Sequence, residues 1–224
     1  MKRFVMTLAT IFMVCLLYGQ VTIEDYIKSF PSLEGRSIVN LYDLYKQQRI
    51  KMTKEEALNY VLNGDTTKLY CLDLEYEGWE EKVYGKSIGE YYPLKCARVD
   101  YGNYFLICYE TTECDDNGVW HKLLMTLEIF DKYYQKKDSL LVLKRDDHDT
   151  YIESLYNPQN HKLYLTDDLK ESILYTINEK TLKFEELIRY DGNEIYKSSM
   201  NEYLKKQIQE LGWEELFYSD DCQQ

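Results

Sequence analysis

Residues 92–131, YPLKCARVDYGNYFLICYETTECDDNGVWHKLLMTLEIFD, decide the fold. Three apolar runs stand here, YPLKCARV, NYFLICYE and VWHKLLMTLEIFD, separated by DYGN and CDDNGV. Gly-Asn and Asn-Gly between apolar runs supply the positive φ that a tight hairpin turn needs. The three runs therefore predict successive strands joined by hairpins. In the third, Val119, Leu123, Met125, Leu127 and Ile129 share one face at a period of two, and His121 falls on that same face.

The pattern extends in both directions. Downstream, SLLVLKR, TYIESLY, HKLYLT, SILYTI and KFEELIRY are broken only by short polar turns such as NPQN, TDDLKE and NEKT. Strands with no helix between them pair antiparallel with their chain neighbours. Upstream, KLYCLDLEY alternates Tyr70, Leu72, Leu74 and Tyr76 against Cys71, Asp73 and Glu75, as a half-buried strand does. The predicted class is mainly β (α+β): an antiparallel β-meander, curled or closed into a barrel or propeller to hide its edges.

Helices flank the meander. Thr22 caps TIEDYIKSF, which stops before Pro31, and NLYDLYKQQR is a second short helix. In MTKEEALNYVLNGD, Thr53 and Glu56 have capping-box spacing and Asn63-Gly64 ends the helix. Residues 198–211, SSMNEYLKKQIQEL, form the C-terminal helix, ended by Gly212. The organisation expected is one domain over 20–224, helical in 20–65, a meander in 66–196, and a C-terminal helix and tail in 197–224.

The first 20 residues, MKRFVMTLATIFMVCLLYGQ, set the compartment. Lys2 and Arg3 precede an apolar run from Phe4 to Tyr18, and no further charge comes before Glu24. This is the layout of a signal peptide, cut near Gly19, and the run is short for a spanning helix. Residues 1–19 are read as the leader, and the protein as exported to the periplasm, cell surface or medium, with no integral membrane segment after cleavage. Losing Lys2 and Arg3 moves the formal charge from −12 to −14. That balance excludes a nucleic-acid partner, whose phosphates demand a basic footprint.

Cysteine usage fits export without fixing a bridge. Cys71, Cys96, Cys108, Cys114 and Cys222 follow the leader, an odd number with no Cys-x-x-Cys among them. Cys71, Cys96 and Cys108 sit in strand patterns, where a cysteine behaves as a small buried hydrophobe. Cys114 and Cys222 stand in polar surroundings and are expected to be the reactive pair.

Catalytic motifs do not emerge. His121, His148 and His161 are scattered, GKSIGE lacks the rest of a phosphate loop, and no nucleophile elbow occurs. Asp146, Asp147, His148 and Asp149 have ligand chemistry, but their spacing is not that of a calcium loop, so a solvated acidic turn is expected. Neither a metal nor any other cofactor is called for. Residues 76–92, YEGWEEKVYGKSIGEYY, are different in kind: aromatic residues, glycines and glutamates in a segment too polar and irregular for a core. Such a mixture suits stacking on a sugar or gripping a peptide. Trp79, Tyr84, Tyr91 and Tyr92 are the expected ligand-binding residues. An ordinary excursion between strands is the plainer account of the same segment.

The order SFPSL, then MTKEEALNYVL, then YYPLKCARVDYGNYFLICYE and LLMTLEIFDK resembles a large group of secreted β-meander proteins of gut bacteria, over about residues 22–190. The resemblance implies the fold and the export, and brings no catalytic residue with it. The function expected is thus a non-catalytic binding protein of the cell envelope, with a glycan, peptide or protein partner. The alternatives are a hydrolase without a recognisable motif and a purely structural envelope protein.

Overall fold

The computed structural model describes residues 21–33, 38–46, 49–76, 83–114, 120–145, 150–167, 171–191 and 200–218. The leader expected at 1–19, the acidic cluster at 146–149 and Cys222 lie outside them. From the N-terminal side come α1 (Ile23–Lys28), β1 (Val39–Asn40), α2 (Leu41–Lys46) and β2 (Ile50–Lys51). Next, α3 (Lys54–Glu56) runs straight into a π-helical turn (Ala57–Val61), followed by a 3-10 turn (Thr66–Leu69). Then come β3 (Tyr70–Tyr76), β4 (Val83–Glu90), β5 (Leu94–Asp100), β6 (Tyr104–Cys114), β7 (Trp120–Asp131) and β8 (Lys136–Arg145). The last strands are β9 (Thr150–Asn157), β10 (Lys162–Asp167), β11 (Glu171–Asn178) and β12 (Lys183–Asp191), and the helices α4 (Met200–Glu210) and α5 (Glu214–Tyr218) follow.

Local signals act as expected where they are strongest. Thr22 Oγ1 accepts the Asp25 N–H at 3.1 Å and starts α1. At α3 both halves of the capping box are made: Glu56 N–H donates to Thr53 Oγ1, and Thr53 N–H donates to Glu56 Oε2. Asn63 and Gly64, with φ of 51° and 79°, end that helix. Gly102 has φ 78° in the β5–β6 turn, and its N–H donates to Asp100 Oδ1 at 2.8 Å.

The meander is real and it is open. The ten-stranded sheet runs β12-β11-β10-β9-β8-β7-β6-β5-β2, with β1 on β9, and its ladders are antiparallel. A closed barrel, one of the forms expected, is not formed. Instead the sheet folds at one corner. β8 and β9 pair only at Lys144↔Ile152 and Arg145↔Thr150. Beyond that point β1 takes over the edge of β9, at Val39↔Tyr156 and Asn40↔Leu155. The far strand then returns toward β8, where Phe184 N–H of β12 donates to Asp138 Oδ2 at 2.9 Å.

Folding the sheet this way makes three apolar cores. The inner one joins Leu106, Met125, Leu127 and Ile129 to Tyr156, Leu163 and Ile177, with Leu41 and Leu44 of α2 beside them. A second lies on the opposite face of β6 and β7, where Tyr26, Ile27, Phe30 and Ala57 cover Phe105, Ile107 and Phe130. In the third, Leu204, Ile208, Trp213 and Phe217 cover Leu155, Tyr164 and Leu174. Successive β6 residues alternate between the first two cores, so 104–110 is buried without a break. A strand covered on both sides reads as a continuous apolar run, as YFLICY does.

Three expectations need correction. Residues 76–92 are not an irregular excursion: β4 occupies Val83–Glu90 and pairs with β3 from Tyr70↔Glu90 to Tyr76↔Val83. β3 and β4 form a two-stranded sheet of their own, so β3 is not the first strand of the meander. Glycines and charges at alternate β4 positions hid the strand, because main-chain pairing needs no apolar side chains. At the other end, α5 forms where a tail was expected.

Candidate functional site

Of the expected aromatic residues, Tyr91 and Tyr92 at the end of the β3–β4 ribbon are described with their side chains. Trp79 lies outside the described residues, and Tyr84 is placed on β4 by its backbone. Tyr91 and Tyr92 follow the strand directly and are half-buried. Tyr91 N–H donates to the Leu69 carbonyl at 2.8 Å, which ties the end of β4 to the residue before β3. Tyr92 packs at the margin of the second core. Its hydroxyl donates to Glu90 Oε2 at 3.0 Å, and Lys51 Nζ stands 4.4 Å from its ring centre. The Glu90 carboxylate, holding the phenolic proton, pushes the Tyr92 pKa up. One flat ring with a cation on its face and a carboxylate at its tip is the described part of this surface.

Charged side chains buried near the second core are paired. Lys95 and Glu56 are buried on the second core, with Lys95 Nζ 2.5 Å from Glu56 Oε1 and 2.7 Å from Ser29 Oγ. Burial works to raise the Glu56 pKa, and Lys95 with the Thr53 N–H outweighs it, so the carboxyl stays below its ordinary value. At Glu110 the contest goes the other way. Burial there outweighs the Arg49 guanidinium that bonds it, and the carboxyl is raised. Glu128, also buried, accepts from Tyr109 at 2.8 Å and from Lys136.

A second convergence, which the sequence did not signal, lies where three hairpin turns meet. Tyr104 OH is 2.6 Å from His161 Nδ1, and Glu179 Oε1 is 3.4 Å from the same nitrogen. Tyr101 stacks on His161 at 4.2 Å and on Tyr104 at 4.7 Å between ring centres. Its hydroxyl bonds Tyr156 and the Pro158 carbonyl. His161 holds φ at 59°, uncommon for a residue with a side chain. Three residues from three separate turns carry no common motif, so only folding reveals the group.

The contacts of the group hold turns together. A histidine relay uses one ring nitrogen toward the nucleophile and the other toward the orienting carboxylate. Here Tyr104 and Glu179 address the same nitrogen. Burial pushes Tyr104 far above the ordinary phenol value and Tyr101 to about 12, the opposite of activation. Neutral phenols bonded in a half-buried stack clamp the turns together.

The cysteines divide differently from expectation. Cys96 and Cys108 are buried, as expected, and both are free; the contact with Cys96 together with burial raises the Cys108 thiol. A bulge between Lys95 and Ala97 turns both Cys96 and Ala97 toward the inner core. Cys114, expected to be reactive, ends β6 and is disulfide-bonded. A small cavity with apolar walls is lined by Leu33, Leu41, Val99, Leu106, Leu127 and Tyr156. No helix among the described residues is long and apolar enough to cross a membrane, and no group of metal-ligating side chains occurs among them.

Comparison with known proteins gives no match to a family model, to a curated protein or to a solved structure.

Proposed function

We propose that this chain is an exported, non-catalytic binding protein that recognises its partner through the β3–β4 ribbon and the aromatic residues Trp79, Tyr84, Tyr91 and Tyr92. The observation that carries the reading is the separateness of the ribbon. It shares no ladder with the ten-stranded sheet, so its main-chain pairing is independent of the meander. The Tyr92 ring with Lys51 and Glu90 around it offers an apolar face, a cation and a carboxylate within one side chain's reach. Ligands with apolar faces and hydroxyls or amines suit that set, and glycans and peptides both carry them. Export is supported by the disulfide at Cys114, since such bonds persist in oxidising compartments.

The test is a glycan array and a peptide array probed with the protein lacking residues 1–19, beside Trp79→Ala and Tyr92→Ala. Retained spots for the unaltered protein that both variants lose, at unchanged melting temperature, support the reading. Identical spots for all three proteins overturn it.

A further inference from the structure

Cys114 is disulfide-bonded, while Cys96 and Cys108 are free. The partner within the chain is therefore Cys15, Cys71 or Cys222. Cys15 belongs to the expected leader. Cys222 follows α5, which packs against β10, four strands from β6 in the sheet. Cys71 has a positive claim. Cys114 Sγ lies 3.9 Å from the carbonyl oxygen of Tyr70. That oxygen shares a planar peptide unit with the nitrogen and Cα of residue 71. The backbone of residue 71 therefore stands close to the Cys114 sulfur, as a disulfide between the two requires.

We propose that Cys114 is bonded to Cys71, and that this bridge fastens the β3–β4 ribbon to the end of the β6–β7 hairpin. Outside the bridge, β3 touches β7, and Leu69, Tyr70 and Tyr92 at the base of the ribbon pack on the second core, but no ladder joins the ribbon to the sheet. The ribbon's own ladder is internal, and the Tyr91–Leu69 hydrogen bond joins the two ends of the ribbon to each other. The bridge encloses most of β3, all of β4 and β5, and most of β6, a long loop whose closure restricts the unfolded chain. The functional consequence rests on reading the ribbon as the recognition surface: oxidised, it is presented in one pose, and reduced, it swings on its ends. Reduction by a dithiol is an exchange in which the reductant becomes the disulfide and Cys71 and Cys114 take up its two protons and two electrons.

The experiment is peptide mapping without reduction, after alkylating free thiols in denaturant. Trypsin releases Cys71 in residues 69–82 and Cys114 in residues 99–122, a peptide that also holds Cys108. The expected product is 69–82 joined to 99–122 through Cys114, with Cys108 alkylated. A bridge from Cys114 to Cys222 or to a second chain, or Cys114 found alkylated, overturns the pairing. Hydrogen exchange then tests the fastening: in Cys114→Ser, amides of residues 84–89 should exchange at least about tenfold faster, with those of 104–109 unchanged. Equal rates in both proteins overturn the fastening. Array binding that survives both Trp79→Ala and Tyr92→Ala while the bridge is intact overturns the recognition surface alone, so the two ideas fail separately.

Discussion

Changing Glu56 to glutamine removes one charge and almost no volume, at a residue 5% exposed beside a lysine 3% exposed. Glutamine still serves a capping box, so the start of α3 survives. What disappears is the counter-charge of Lys95, leaving the ammonium with Ser29 Oγ at 2.7 Å and the faces of Tyr26 and Phe30. A buried ion stripped of its partner costs about 3–5 kcal/mol. In a chain of this size each kcal/mol moves Tm by about 2–4 °C, so Glu56→Gln should melt roughly 6–20 °C lower. The pH dependence has a definite sign. A carboxyl held below its ordinary pKa contributes stability that is present above its unfolded value and lost as pH falls through the folded one. Urea unfolding followed by tryptophan fluorescence should therefore show the full gap at pH 7, narrowing below about pH 4.3, where an ordinary glutamate protonates. Adding Lys95→Met should recover much of the loss, since neither charge then remains. A single variant within about 1 kcal/mol of the parent at pH 7, or a gap unaltered by acid, refutes the argument.

In the folded protein Cys96 and Cys108 should resist alkylation for hours and react at once in denaturant, because burial denies access and raises the Cys108 thiol; fast labelling of the native state would contradict their place in the inner core. Trp213→Ala should cost about 3–5 kcal/mol and release α4 and α5 to proteolysis ahead of the sheet, as truncation of a buried ring does. Secretion from a bacterial host should yield a chain whose N-terminal sequencing begins near Gln20; recovery of Met1 in the membrane fraction would replace the leader with an anchor. Calcium or zinc should leave Tm unchanged if Asp146 to Asp149 form a solvated turn, whereas saturating a true site at a hundred times its Kd adds about 2.7 kcal/mol.

Period-two alternation made the meander legible, from Leu94 to Asp191, because a strand with one packed face must write that face into every second residue. Caps were legible for the same kind of reason: Thr22 and Thr53 each meet a local geometric need within three residues. Openness was not, since it depends on where β8 and β9 part and on β1, a two-residue strand, filling the gap. Nor was β4, whose glycines and lysine pair by main chain alone. At the candidate site, Tyr91 and Tyr92 follow β4 directly, and Tyr92 packs at the margin of the second core. His161, Tyr104 and Glu179 could not have been joined from sequence, because they come from three turns brought together only by the stacking of hairpins.

The double coverage of β6 has a consequence for how the chain matures. Hairpins between sequence neighbours zip within microseconds, so β5, β6 and β7 can pair as soon as they are free. Yet the inner face of β6 has Tyr156, Leu163 and Ile177 as its cover, and these arrive last. Until then YFLICY is a six-residue window with no charge, no proline and high β-propensity, the composition that stacks into cross-β aggregates. A chain threaded through a membrane from its N-terminus emerges with this window bare for as long as the last third takes to follow. If the chain is exported as proposed, its secretion in quantity should accordingly depend on a holding chaperone on the far side, and slowing translocation should raise the insoluble fraction before it lowers the total.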